Sequence, residues 1–172
     1  MNRRQWMLGA AGATAAVAGA GWQLWREAGR ADGGDIPDLW TMRFPQPGGG
    51  ELVMAERRGR PLLLNFWATW CPPCVKEMPE LDRFQREFAS SGWQVVGLAV
   101  DGPTPVREFL QRVPVSFAIG LAGFEGTDLS KRLGNAQGAL PFTALFDARG
   151  RIVQRKLGET NFDELARWAK AL

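Results

Sequence analysis

A mixed β-sheet with helices on both faces is the fold class this sequence predicts, and three observations predict it. From residue 51 onward, short apolar runs of strand length alternate with stretches of helical periodicity. Two late runs, 142–147 and 151–157, are joined by Ala148-Arg149-Gly150 and read as a hairpin. Residues 162–172 read as an amphipathic helix. Strands that alternate with helices and finish in a hairpin give parallel and antiparallel neighbours in one sheet, covered on both faces.

Each element has a local reason. Residues 29–50 carry Gly29, Gly33, Gly34, Pro37, Pro45, Pro47 and Gly48-Gly49-Gly50, the composition of linkers and turns. Inside that stretch, residues 38–44 alternate apolar and polar side chains and predict a short strand. With a second strand at 52–54 it forms an N-terminal hairpin extension. Residues 61–67 read as a strand buried on both faces. Over 73–90, Val75, Met78, Leu81, Phe84 and Phe88 recur at three- and four-residue steps, which predicts a helix. Pro79 inside it removes a backbone hydrogen bond and predicts a bend. A second buried strand is expected at 93–100 and a helix at 106–112, begun by Pro103-Thr104-Pro105. A strand at 115–121 and a helical turn or two at 128–133 complete the middle of the chain.

The chemistry lies between the first buried strand and its helix. The only two cysteines stand as Trp70-Cys71-Pro72-Pro73-Cys74. A strand that ends in Cys-x-x-Cys and feeds a helix puts the first sulfur at the helix start. Unpaired N–H groups and the positive end of the helix dipole stabilise a thiolate there. Two thiols at this spacing can close a small disulfide and reopen it by exchange. Composition removes the competitors. With no histidine and two cysteines, the chain cannot complete a four-ligand zinc site, a Ser-His-Asp or Cys-His centre, or a Cys-x-x-Cys-His haem attachment. A permanent staple is disfavoured, because so short a loop removes little unfolded-chain entropy.

The positive charge belongs to the first 30 residues. Arg3, Arg4, Arg26 and Arg30 face only Glu27 there, and residues 31–172 keep 17 of the 21 bases and 17 of the 18 acids. The basic pI is therefore no sign of nucleic-acid binding, and no nucleic-acid partner is expected. Paired arginines followed by an uncharged stretch up to Arg26 have the layout of an export signal. Asn2-Arg3-Arg4-Gln5-Trp6-Met7 resembles the start of a twin-arginine signal, with a Sec signal as the alternative. Cleavage could follow Ala16-Val17-Ala18 or Ala18-Gly19-Ala20. Against cleavage, residues 6–25 are about the ~20 residues of a spanning helix, with a tryptophan at each end. The expected organisation is an export signal or membrane anchor at 1–30, a linker at 31–37 and one domain at 38–172. Either outcome puts the domain on the periplasmic side of the inner membrane, where a reducing dithiol must be recharged from outside its compartment.

Three motifs in order carry a resemblance. Leu64-Asn65-Phe66-Trp67-Ala68-Thr69-Trp70-Cys71-Pro72-Pro73-Cys74 is followed by Glu77-Met78-Pro79 and then Gly138-Ala139-Leu140-Pro141-Phe142-Thr143. They resemble the thioredoxin superfamily and, within it, the exported TlpA/ResA-type thiol–disulfide reductases, related to the CcmG proteins of cytochrome c maturation. The likeness runs over about 38–172 and implies a thioredoxin-like fold, with residues 101–135 as the subgroup's central insertion. It implies that Pro141 is the cis-proline facing the sulfurs, where the preceding backbone can pair with an extended substrate. Pro114 competes for that place but lacks the following hairpin. Thioredoxins carry an aspartate where this chain has Asn65. Glu77 matches the acidic residue of the TlpA/ResA type and is expected to exchange a proton with the buried Cys74 thiol. An ordinary solvated helix glutamate is the alternative.

The expected roles follow. Cys71, at the helix start and more exposed, attacks; Cys74, one turn in, resolves the mixed disulfide. Trp70, Pro72, Pro73, Leu140 and Phe142 are expected to form an apolar rim for an extended polypeptide. Neither Pro72 nor Pro73 has an N–H to donate to the Cys71 sulfur, so its thiolate is less stabilised than in a DsbA-type oxidant, and a reductant is expected. The resemblance implies recharging by a DsbD/CcdA-type membrane electron carrier. It also implies oxidised client proteins such as apocytochrome c or a copper-centre assembly protein. No cofactor and no resident metal are expected. A Cu(I) chaperone using the two thiolates is the main alternative, weakened by the missing histidine. A peroxidase of the peroxiredoxin type is a further one, disfavoured by the Pro-Pro spacing.

Overall fold

The computed structural model describes residues 37–172, except for the Pro37 side chain. The leader expected at 1–30 lies outside the described residues, as does the linker expected at 31–37 except for Pro37, which begins a helix. Among the described residues, no helix is long and apolar enough to cross a membrane.

The chain enters through α1 (Pro37–Thr41) and a hairpin of β1 (Arg43–Pro45) with β2 (Glu51–Val53), then a 3-10 turn over Met54–Arg57. Next come β3 (Leu62–Trp67), α2 (Pro72–Phe88), β4 (Gln94–Ala99), α3 (Pro103–Arg112) and β5 (Ala118–Leu121). The last elements are α4 (Glu125–Arg132), β6 (Phe142–Phe146), β7 (Ile152–Leu157) and α5 (Phe162–Lys170). The main sheet has five strands in the order β5-β4-β3-β6-β7. β3, β4 and β5 run parallel, while β6 and β7 are antiparallel additions. This is the expected thioredoxin-like sheet, and helix α2 continues through Pro79.

β3 and β4 are buried at every position, which is why their sequences show no polar face. One sheet face (Leu63, Trp67, Val95, Ala99, Ile119, Leu145) packs against α2, α3 and α5 through Met78, Leu81, Phe84, Val106 and Leu165. The other (Leu62, Leu64, Phe66, Val96, Leu98, Ala144) packs against α1, the hairpin and α4 through Leu39, Trp40, Phe44, Leu52 and Leu129. Asn65 lies between Leu63 and Trp67 on the α2 side.

Two sequence expectations need correction. Residues 38–44 do not form one strand. Leu39 and Trp40 are neighbours yet both pack into the same core layer, which a strand that sends neighbours to opposite faces cannot arrange but a helical turn can. The Thr41 hydroxyl donates back to the Asp38 carbonyl at 2.8 Å and closes that turn. The strand expected at 115–121 begins only at Ala118. Asp82 on α2 accepts from both the N–H and the hydroxyl of Ser116, at 2.6 Å each, and draws that backbone out of the sheet ladder.

The hairpin sits directly on β5. A Cβ placed on Gly120 would lie 2.8 Å from the Phe44 Cβ and 2.9 Å from a Leu98 methyl. Because the Phe44 Cβ cannot swing away, Gly120→Ala should destabilise the fold by about 1–3 kcal/mol, read as a lower denaturation midpoint in urea. An unchanged midpoint would mean that the hairpin is free to lift.

Candidate active site

The strand-to-helix junction is held from several directions. β3 ends at Trp67, and residues 68–70 turn the chain so that Cys71 caps α2. The Cys71 N–H donates to the Ala68 carbonyl at 3.3 Å, and the Val75 N–H donates to the Cys71 carbonyl at 3.1 Å. Pro72 and Pro73 occupy the first two helical positions, where a missing N–H costs nothing. The Cys74 N–H is therefore the first backbone donor of the helix. Asp101, just beyond β4, accepts from the Thr69 N–H at 3.0 Å and the Thr69 hydroxyl at 2.6 Å, and so clamps the turn. Its other oxygen accepts from the Gly102 N–H at 2.7 Å.

Cys71 and Cys74 are joined as a disulfide, S–S 2.05 Å and Cα–Cα 5.3 Å. Cys71 is 5% exposed and Cys74 is fully buried. Only Cys71 of the pair keeps any exposed surface.

One helical turn beyond Cys74, Glu77 is also fully buried, which overturns the solvated-glutamate alternative. Its Oε1 accepts from the Asn65 side-chain amide at 2.7 Å. Its Oε2 accepts from the Thr160 N–H at 2.7 Å and the Thr160 hydroxyl at 2.8 Å. Burial pushes the Glu77 carboxyl above its ordinary value, and the Thr160 and Asn65 hydrogen bonds offset only part of that rise. The same Asn65 amide donates to the Thr143 hydroxyl at 3.1 Å, while the Asn65 Oδ1 is buried with no partner. A carboxyl shielded from water and held by donors from β3 and the β7–α5 turn can keep or release a proton depending on its neighbour.

The remaining site residues separate into two groups. The Leu140–Pro141 peptide bond is cis, as the resemblance implied, and Pro141 is buried at the start of β6. Phe142 pairs with Phe66 in the strand register, beside the end of β3 that leads to Cys71. Trp70, Pro72 and Pro73 are exposed and Leu140 is half-buried. Phe142 is not a rim residue. It is 2% exposed and packs on Phe66 at 6.0 Å, on the sheet face away from α2, because strand alternation turns it inward.

Thr160 and Asp101 escaped the sequence reading, and Thr143 entered it only as the end of the third motif, with no role. The nearest signal for Thr143 was its place two residues after Pro141. Thr160 and Asp101 had none beyond lying at strand ends.

Comparison with known proteins agrees with this geometry. The redoxin family model matches residues 33–172. The thiol-disulfide oxidoreductase ResA of Bacillus cereus is 29% identical over 119 residues, 68% of this chain and 66% of that protein's length. The thioredoxin-related protein of Neisseria meningitidis serogroup B is 33% identical, with a TM-score of 0.60, covering 66% of this chain and 85% of that one. StoA of Bacillus subtilis shares the fold at 23% identity and a TM-score of 0.61, covering 74% of this chain and 95% of its own. With its matched family model and its Cys71–Cys74 pair, the chain belongs to the redoxin family as a TlpA/ResA-like dithiol disulfide reductase of the thioredoxin superfamily.

Proposed function

We propose that this chain reduces disulfides in exported proteins on the periplasmic side of the inner membrane. The carrying observation is the pair itself: Cys71 caps α2 with slight exposure, while Cys74 is fully buried, one turn from buried Glu77. In the reduced form the Cys71 thiolate attacks a client disulfide. A Cys71–client bond forms and one client thiolate leaves. The Cys74 proton passes to the Glu77 carboxylate, and the Cys74 thiolate attacks the Cys71 sulfur. The Cys71–Cys74 bond closes, the second client thiolate departs, and two electrons have moved to the client.

By the resemblance, the Leu140 backbone before Pro141 pairs with an extended client, and Trp70, Pro72 and Pro73 offer it apolar contact. Recharging then needs a two-electron dithiol donor, which the resemblance identifies with a DsbD/CcdA-type carrier. Apocytochrome c and copper-centre assembly proteins are the client classes that fit.

The direction of exchange is testable. With no N–H on Pro72 or Pro73, the reduced Cys71 thiolate is less stabilised than in a DsbA-type oxidant, so the couple is more reducing. Equilibration against dithiol buffers should place the potential nearer the ~−270 mV of thioredoxin than the ~−120 mV of DsbA. A value near the latter would make the chain an oxidant.

A further inference from the structure

Three turns leave the sheet at the edge that carries the disulfide. Because β3, β4 and β5 are parallel, their following turns, 68–70, 100–102 and 122–124, leave the sheet at the same edge. Hydrogen bonds lace them together. The Val100 N–H donates to the Trp67 carbonyl at 2.8 Å, and Thr69 is clamped to Asp101. The Ala122 and Gly123 N–H groups both donate to the Ala99 carbonyl, at 2.9 and 3.1 Å. Gly123 takes a positive φ of 55°, and α4 starts at once behind it, with Thr127 N–H donating to the Phe124 carbonyl at 3.1 Å.

From this pinned turn Phe124 stands 84% exposed, and from the first turn Trp70 stands 63% exposed. They are the two most exposed large hydrophobic side chains among the described residues. One exposed apolar residue needs no explanation. Two aromatics on hydrogen-bonded turns, at the edge that carries the reactive sulfur, do.

We propose that Phe124 is a second anchor for the client polypeptide, binding an apolar side chain about three residues from the cysteine joined to Cys71. The inference rests on the reading of the chain as a reductant of protein disulfides. The ends of β3 and β5, from which the two turns leave, are two strand spacings apart, roughly 10 Å, a span that an extended chain covers in about three residues. A polypeptide held at Cys71 and running across the 100–102 turn therefore meets Phe124 with a side chain rather than with its end. Aromatic anchors are favoured at such contacts because they bury much area with little rotamer entropy.

The test uses the full chain and two synthetic peptides, each with one internal disulfide. They differ only in carrying Phe or Ser three residues from the attacked cysteine. KM for the Phe peptide should be about tenfold lower than for the Ser peptide, the scale of one good anchor. Phe124→Ser should bring that ratio close to one, and Phe124→Leu should retain most of it. A merely structural role would slow both peptides alike and leave the ratio intact, and that result overturns the proposal. So would a wild-type ratio of one, or concentration-dependent dimerisation that Phe124→Ser abolishes, since Phe124 would then serve a second copy of the chain. If the wild type reduces neither peptide nor glutathione disulfide, the reductase reading itself falls, and the anchor falls with it.

Discussion

Cys74→Ser should convert the protein from a turnover catalyst into a trap. Cys71 keeps its place at the α2 start and its slight exposure, so it still attacks a client disulfide. The serine hydroxyl at the buried position does not ionise near neutral pH and cannot displace the client from the Cys71 sulfur. Turnover should fall by on the order of a thousandfold or more, as when a covalent nucleophile is lost. Meanwhile one mixed disulfide accumulates. Mass spectrometry of the trapped species would place the bond on Cys71 and identify both client and electron donor. Cys71→Ser should be equally inactive and trap nothing. The reduced wild type should be alkylated first at Cys71, since Cys74 has no exposed surface. Mixed disulfides forming on Cys74 instead would reverse the assigned order of attack.

Glu77→Gln should slow exchange by about a hundredfold near neutral pH, at the low end of what a positioned acid or base contributes. It should also remove a limb from the pH–rate profile. The substitution is well placed to fold. Its Oε1 can accept from Thr160, and its amide can donate to the Asn65 Oδ1, which has no partner in the native protein. Stability supplies an independent reading. Burial raises the Glu77 carboxyl above its ordinary value. Between the ordinary and the raised value, the folded chain binds more protons than the unfolded one, so wild-type stability falls as pH rises through that window. Below the window there is no such penalty. Glu77→Gln cannot titrate, so its stability should gain on the wild type as pH rises and then stay level.

Asp82 has the opposite sign. Burial pushes its carboxyl up, but the Ser116 hydrogen bonds and the Arg86 charge outweigh this and hold it below its ordinary value. The stability it contributes is present above the ordinary carboxylate range and lost as pH falls through its lowered value. The two groups therefore act on opposite limbs of a pH–stability curve. A Glu77→Gln protein whose stability tracks the wild type at every pH would show that the Glu77 carboxyl titrates alike in the folded and unfolded chain, with no rise from burial.

Much of this was legible in the chain itself. The unbroken apolar runs of β3 and β4 announced strands covered on both faces, and the three- and four-residue steps from Val75 to Phe84 announced the helix behind them. Cys71 and Cys74 are neighbours in sequence, so their pairing at a helix start needed no knowledge of distant residues. Adjacent side chains were harder where two faces were both buried: Leu39 and Trp40 looked like part of an alternating strand until packing on both was seen. Phe142 looked like a rim residue because it follows Pro141, yet the pleat of β6 turns it into the core.

The partners of Glu77 belong wholly to the tertiary structure. Asn65, Thr143 and Thr160 come from three different parts of the chain and meet only because β3 pairs with β6 in one register and the β7–α5 turn folds over α2. Trp70 and Phe124 share an edge of the sheet for a similar reason, since parallel pairing sends separate turns to one edge. Local periodicity and covalent spacing determine elements and the reactive pair because both act over one or two turns of chain. Hydrogen-bond partners and shared edges depend on strand register and on which face each element covers, and no short stretch of sequence contains that information.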